Sequence, residues 1–183
     1  VRLHVGHRDV GERGIDVHVI PSPRVASYAE APAMSATQLT DAVLETLRSA
    51  NPPDDIFINY ANPDMVAHAF AQVNPEGDVD VVAQAIRTVD EQLARLVDAA
   101  LEQGWVVAIT ADHGNAEELW DPKEEKPVPG HTRNQVPFLL ISADPALQKD
   151  QIELTADGSL ANVAPTLLQL RGISLPAEMD QLS

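Results

Sequence analysis

Three short stretches of this 183-residue chain carry side chains suited to holding metal ions. In Asn62-Pro63-Asp64-Met65-Val66-Ala67-His68, Asn followed by Pro reads as an N-cap with proline at the first helical position. Asp64 and His68 are then four apart on one helical face, where a carboxylate and an imidazole can grip one divalent ion. An Asp64 that merely caps the helix and a His68 on its surface account for that pair about as well. In Thr110-Ala111-Asp112-His113-Gly114-Asn115, an apolar strand ends in adjacent Asp and His before a Gly. The glycine permits a sharp exit that brings Asp112 and His113 towards one point. A capping Asp112 beside an incidental His113 is the alternative, and the less favoured one. Gly130-His131-Thr132 is weak alone and gains weight from ligand arithmetic. Asp64, His68, Asp112, His113 and His131 exceed the needs of one open catalytic ion and suit two ions. His4, His7 and His18 lack such company, and His18 is expected to be packed or hydrogen-bonded within a strand.

The elements that must position these residues follow from periodicity. Ile15 to Ile20 alternates as a strand, stopped by Pro21-Ser22-Pro23. Ser35-Ala36-Thr37-Gln38 has capping-box spacing and opens a helix with Leu39, Val43, Leu44 and Leu47 on one face. Ile56 to Tyr60 reads as a short buried strand. Gly77 precedes a helix over Val79 to Gln103, with Val82, Ile86, Val89, Leu93, Leu96 and Ala100 at helical spacing and Gly104 as its stop. Trp105 to Thr110 and Val136 to Ile141 are further strands. Residues 114 to 135, with Lys123-Glu124-Glu125-Lys126, form a polar surface excursion. Ala161 to Leu170 is a last helix with Pro165 in or near its first turn. Strands alternating with helices predict an α/β fold with a mostly parallel sheet flanked by helices. Ligands in such sheets bind beyond the carboxyl ends of the strands, where both Asp/His clusters fall.

Composition sets bounds. At 44% hydrophobic content the chain can bury a core. A formal net charge of −16 argues against non-specific nucleic-acid binding and is unfavourable to an anionic substrate, although bound divalent cations could reverse the local field. With no cysteine, disulfides and thiolate metal sites are excluded. No apolar run is long enough to span a bilayer. Val1 is not Met, so the chain reads as a fragment or a processed product.

Asn59-Tyr60-Ala61-Asn62-Pro63-Asp64-Met65-Val66-Ala67-His68, Thr110 to Glu117 and Gly130-His131-Thr132 resemble the cofactor-independent (2,3-bisphosphoglycerate-independent) phosphoglycerate mutases. Ile20 to Val25, Gly158 to Leu168 and Pro176-Ala177-Glu178-Met179 fit the same family, in the same order. The resemblance implies an alkaline-phosphatase-like domain of which residues 1–183 are the C-terminal, metal-binding segment, incomplete at its N-terminal side. It implies interconversion of 3-phosphoglycerate and 2-phosphoglycerate in glycolysis, by way of a phosphoserine. It implies two divalent ions, typically manganese, with zinc, cobalt or magnesium as alternatives. Asp64, His68 and His131 would hold one ion, and Asp112 and His113 the other. The partner would be a small phosphorylated acid, and the complete protein a cytoplasmic monomer.

The family's serine nucleophile and its inserted substrate-binding domain lie upstream of the matched segment, and no serine here sits in the nucleophile motif. The chain alone is therefore expected to be inactive. Another metal-dependent phosphatase or phosphomutase of the superfamily is the nearest alternative, and a non-catalytic metal-binding remnant a further one. Local departures are Ala67 where glycine is common, and Phe70, which could narrow the approach to His68. Val5-Gly6-His7 and Asp180-Gln181-Leu182-Ser183 also depart from the family pattern.

Overall fold

The computed structural model describes residues 2–6, 15–73, 79–147, 152–154 and 157–179. Gly77, His7 and Asp180 to Ser183 lie outside them, as does the side chain of His4. The chain divides into two units, Val1–Ser142 and Ala143–Ser183.

The first unit runs β1 (Arg2–Gly6), β2 (Ile15–Val19), α1 (Ala36–Leu47), β3 (Asp55–Ile58), α2 (Asn62–Val73), α3 (Asp80–Glu102), β4 (Val107–Thr110), β5 (Trp120–Asp121), β6 (Lys126–Pro127) and β7 (Phe138–Ile141). Helix α1 forms where Leu39, Val43, Leu44 and Leu47 recur at helical spacing, and all four are buried. The capping box expected at Ser35 is not made. Its hydroxyl instead donates to the Pro21 carbonyl at 2.6 Å, tying the helix start to the preceding proline segment. Helix α3 ends at Gly104, whose φ is +75°. The Gly104 N–H donates to the Leu101 carbonyl at 3.0 Å and the Trp105 N–H to the Ala100 carbonyl at 2.9 Å. This closure needs a left-handed residue, which glycine adopts at least cost.

Two clusters make the core. Leu39, Val43, Leu44 and Leu47 of α1 meet Leu96, Ala99 and Ala100 of α3, with Ile56, Ile58 and Val107 packed beneath. Val66, Ala67 and Phe70 of α2 meet Val82 and Ala85 of α3, with Ala116 and Leu119 against them. The second cluster positions the site. It presses one face of α2 onto α3 and onto the segment that follows His113. Phe70 is thus a core residue, only 6% exposed, and does not narrow the approach to His68 as its sequence position suggested. Ile86, expected on the inner face of α3, is 45% exposed. His18 is exposed on β2, neither packed nor buried.

The mostly parallel sheet is not observed. Every strand pairing among the described residues is antiparallel: β1 with β2, β1 with β3, β4 with β7, and β5 with β6. A helical crossover forces parallel strands only when the strands it joins become neighbours in a sheet. Here α2 and α3 join β3 to β4, and these two do not pair. Strand β3 takes β1 as its partner, with Val5 opposite Ile56. Strand β4 takes β7, with Val107 opposite Ile141. Strand β7 returns from the polar excursion and not from a helix, so nothing obliges it to run parallel. That excursion also carries the short β5–β6 hairpin, turned through Glu125 at a φ of +50°.

The second unit contains 3-10 turns at Pro145–Leu147 and Leu160–Asn162 and helix α4 (Val163–Leu170). A capping box forms here, between Ser159 and Asn162. Pro165 is the third residue of α4, where its missing N–H costs no helical bond. No helix among the described residues is long and apolar enough to cross a membrane.

Candidate metal centre

Helix α2 buries Val66, Ala67 and Phe70, so its opposite face carries Asp64 and His68 one turn apart. Its first residue, Asn62, is buried and anchors the helix start. The Asn62 amide donates to the carbonyls of Pro32 at 2.9 Å and Ala33 at 2.7 Å. Strand β4 delivers Asp112 and His113. The polar excursion delivers His131, brought back by an antiparallel bridge between Gly114 and Thr132.

Three ligand atoms meet. Asp64 Oδ1 lies 3.3 Å from His68 Nε2 and 3.3 Å from His131 Nε2, and the two imidazole nitrogens are 3.1 Å apart. An ion bound about 2.1 Å from each atom needs edges of about 3.0 Å in an octahedral set and about 3.4 Å in a tetrahedral one. The observed triangle falls between the two. Protonation supports the same use. His68 Nδ1 is 2.9 Å from the Pro129 carbonyl, which can only accept, so Nδ1 carries the hydrogen. In the neutral ring, Nε2 then presents a lone pair towards a carboxylate and a second imidazole. Such a pocket gathers electron density that a cation would neutralise, and a carbonyl behind a ligating histidine is the usual support.

His113 stacks on His131, with ring centroids 3.5 Å apart and planes 14° from parallel. Asp64, His113 and His131 each offer a ligand atom within 4.8 Å of the others, a group able to hold a divalent ion. Asp112 stands at the rim. Its carboxylate is 3.6 Å from His113 Nε2, and its side chain is 75% exposed. The structure therefore gathers Asp64, His68, His131 and His113, while Asp112 reaches the group only through His113.

Three supporting residues had no role in the sequence reading. Asn115, only 5% exposed, donates its amide to Asp64 Oδ1 at 2.6 Å. Thr132 donates its hydroxyl to Glu117, and its N–H to the Gly114 carbonyl at 2.8 Å. Glu117 also accepts from the Asn115 N–H at 2.7 Å and from the Asn134 amide at 3.0 Å. Their place beside His113 and His131, within the family-like stretches Thr110 to Glu117 and Gly130 to Thr132, was the available signal.

The Thr132 hydroxyl is the largest cause holding the Glu117 carboxyl at about 2, well below its ordinary 4.5. A depressed carboxyl contributes stability above the ordinary value, and loses it as pH falls through the depressed one. Amide protection at Thr132 is expected to decline between pH 4.5 and about 2. Glu117→Gln should remove that pH dependence, and hydrogen exchange across this range measures it.

The model of the metalloenzyme superfamily matches residues 5–175. The chain belongs to that superfamily. Within it, the chain is a homologue of the 2,3-bisphosphoglycerate-independent phosphoglycerate mutases. It is 45% identical over 174 residues to the enzyme of Chloroflexus aggregans, covering 95% of this chain and 31% of that protein. It is 44% identical over 164 residues to that of Clostridium novyi, covering 90% of this chain and 30% of that protein. A crystal structure of Leishmania mexicana phosphoglycerate mutase at low cobalt concentration matches with a TM-score of 0.70 at 30% identity. That match covers 87% of this chain and 30% of the other. The chain thus spans about 30% of the length of these relatives.

Proposed function

We propose that this chain supplies the metal-binding part of a phosphoglycerate mutase that interconverts 3-phosphoglycerate and 2-phosphoglycerate in the cytoplasm. The observation that carries the proposal is the triangle of Asp64 Oδ1, His68 Nε2 and His131 Nε2, with edges of 3.1 to 3.3 Å. These three would hold one divalent ion. His113 and Asp112 would contribute to a second, with remaining ligands from outside residues 1–183. Imidazole and carboxylate donors suit manganese, and also zinc or cobalt. Two such ions, when bound, activate a hydroxyl nucleophile and offset charge on the transferring phosphoryl oxygens.

The chain's own residues have narrower tasks. Asp64 brings negative charge to a cation site and shares it between two imidazoles. The Pro129 carbonyl fixes the proton of His68 on Nδ1. Asn115 holds the Asp64 carboxylate in place. Bound cations would offset, near the site, the formal net charge of −16 that this chain presents to an anionic substrate. The serine that accepts the phosphoryl group, and the basic residues that hold substrate, would come from polypeptide equivalent to the rest of the relatives' length.

The test is conversion of 3-phosphoglycerate with manganese present. The 183-residue chain alone is expected to show none. Adding the polypeptide that supplies the serine should restore conversion. Turnover by the chain alone would refute the division of labour. A restored complex that hydrolyses phosphomonoesters without isomerising phosphoglycerate would favour a phosphatase instead.

A further inference from the structure

Glu117 touches none of the five candidate ligands, yet its carboxylate joins the segments that carry two of them. One oxygen accepts from the Thr132 hydroxyl and from Asn134 Nδ2 at 3.0 Å. The other accepts the Asn115 backbone N–H at 2.7 Å. Thr132 directly follows His131, and Asn115 lies just beyond His113. Asn115 in turn donates to Asp64 Oδ1 at 2.6 Å. One continuous set of contacts therefore links α2, the turn after β4 and the segment bearing His131. Glu117 is exposed. Burial does not oblige it to collect donors, and an exposed carboxylate is ordinarily satisfied by water. Two donors from the segment after His131, together with the Asn115 N–H of its own turn, converge on it and mark a built arrangement.

We propose that Glu117 is a positioning residue of the metal centre, clamping Thr132 and Asn115 so that His131 is held against His113 and Asp64 before an ion arrives. The proposal rests on the reading of Asp64, His68 and His131 as metal ligands. The physical need is clear from where His131 sits. Its side chain is 49% exposed and belongs to no helix or strand of length. Without the clamp, binding an ion would have to order that segment, and the ordering cost would be subtracted from affinity. Glu117 thus acts on the metal through the two residues it holds.

Manganese titration of the 183-residue chain by calorimetry tests the clamp, alongside amide exchange of the metal-free chain. Glu117→Ala and Thr132→Val should each weaken binding about 10-fold, the low end of the range for groups bonded directly to a metal ligand, because both act one residue further out. Thr132→Ser keeps the hydroxyl and should restore most of the affinity. The double variant Glu117→Ala/Thr132→Val should be no weaker than Glu117→Ala alone, because both remove one contact. Exchange at Thr132, whose N–H is bonded to the Gly114 carbonyl, should quicken in Glu117→Ala, while amides of α1 and α3 stay protected. Unchanged affinity in Glu117→Ala, or losses that multiply in the double variant, would overturn the proposal. So would exchange that quickens throughout the chain, which is the mark of a merely structural residue. If the unaltered chain takes up no manganese, the ligand reading fails. Local exchange at Thr132 still decides separately whether Glu117 holds the segment.

Discussion

Asp64→Ala is expected to abolish manganese binding, with a loss of more than ~100-fold, or about 3 kcal/mol. The size follows from the position of one atom. Asp64 Oδ1 is the shared vertex, 3.3 Å from both imidazole nitrogens, and it brings the only negative charge to that triangle. Two imidazoles remain in the variant, and neither brings a negative charge. The same oxygen accepts the buried Asn115 amide at 2.6 Å, so its removal strands a donor at a cost of about 1–3 kcal/mol. Asp64 also lies in the first turn of α2, where its charge favours the helix by roughly 0.3–1 kcal/mol. Asp64→Asn separates these effects. Its amide oxygen can still accept from Asn115, so urea denaturation should find much of the stability regained. Its charge is gone, so metal binding should stay weak. Wild-type manganese affinity in Asp64→Asn would remove Asp64 from the ligand set.

The legible part of this site was the candidate ligands; the illegible part was their support. Asp64 and His68 could be paired from helical spacing alone, because a four-residue separation fixes a shared face wherever the helix goes. Val66, Ala67 and Phe70 confirm that spacing by burying the opposite face. Asp112 and His113 were readable from their place after an apolar strand. Nothing in the sequence said that His113 would stack on His131 while Asp112 turned outward. That outcome depends on how 17 residues of excursion return, and hydrophobic periodicity is silent about polar loops.

The sheet shows the same boundary more sharply. Ile56 and Val107 were correctly placed in strands, but strand direction is a non-local property. The alternation of strands and helices implied parallel neighbours only on the assumption that β3 and β4 would pair. Strand β1, the partner that β3 takes, was not identified from the sequence. The misreading of Phe70 has a related cause. Its nearness in sequence to His68 suggested a role at the site, yet two residues along a helix turn a side chain about 200° away.

Gly114→Val is expected to destabilise the chain by about 3 kcal/mol, the upper end for overpacking, and to weaken manganese binding about 100-fold. A Cβ at Gly114 would collide with the Thr132 hydroxyl and the Glu117 carboxylate. Each alone is the end of a side chain and could retreat. Together they are bonded to each other, and the Glu117 carboxylate is further tied to the Asn115 N–H at 2.7 Å and to Asn134 at 3.0 Å. The Gly114 carbonyl also takes the Thr132 N–H at 2.8 Å, so the two backbones cannot separate without breaking the bridge. Any side chain here must therefore displace the segment that bears His131. Gly130 is the control, because it adjoins His131 directly. A Cβ at Gly130 meets nothing within 4 Å. Gly130→Ala should leave both urea stability and manganese affinity nearly unchanged, although it directly precedes His131. Equal damage from the two substitutions would mean that proximity to His131, and not the close approach of Gly114 to Thr132 and Glu117, sets the tolerance of this segment.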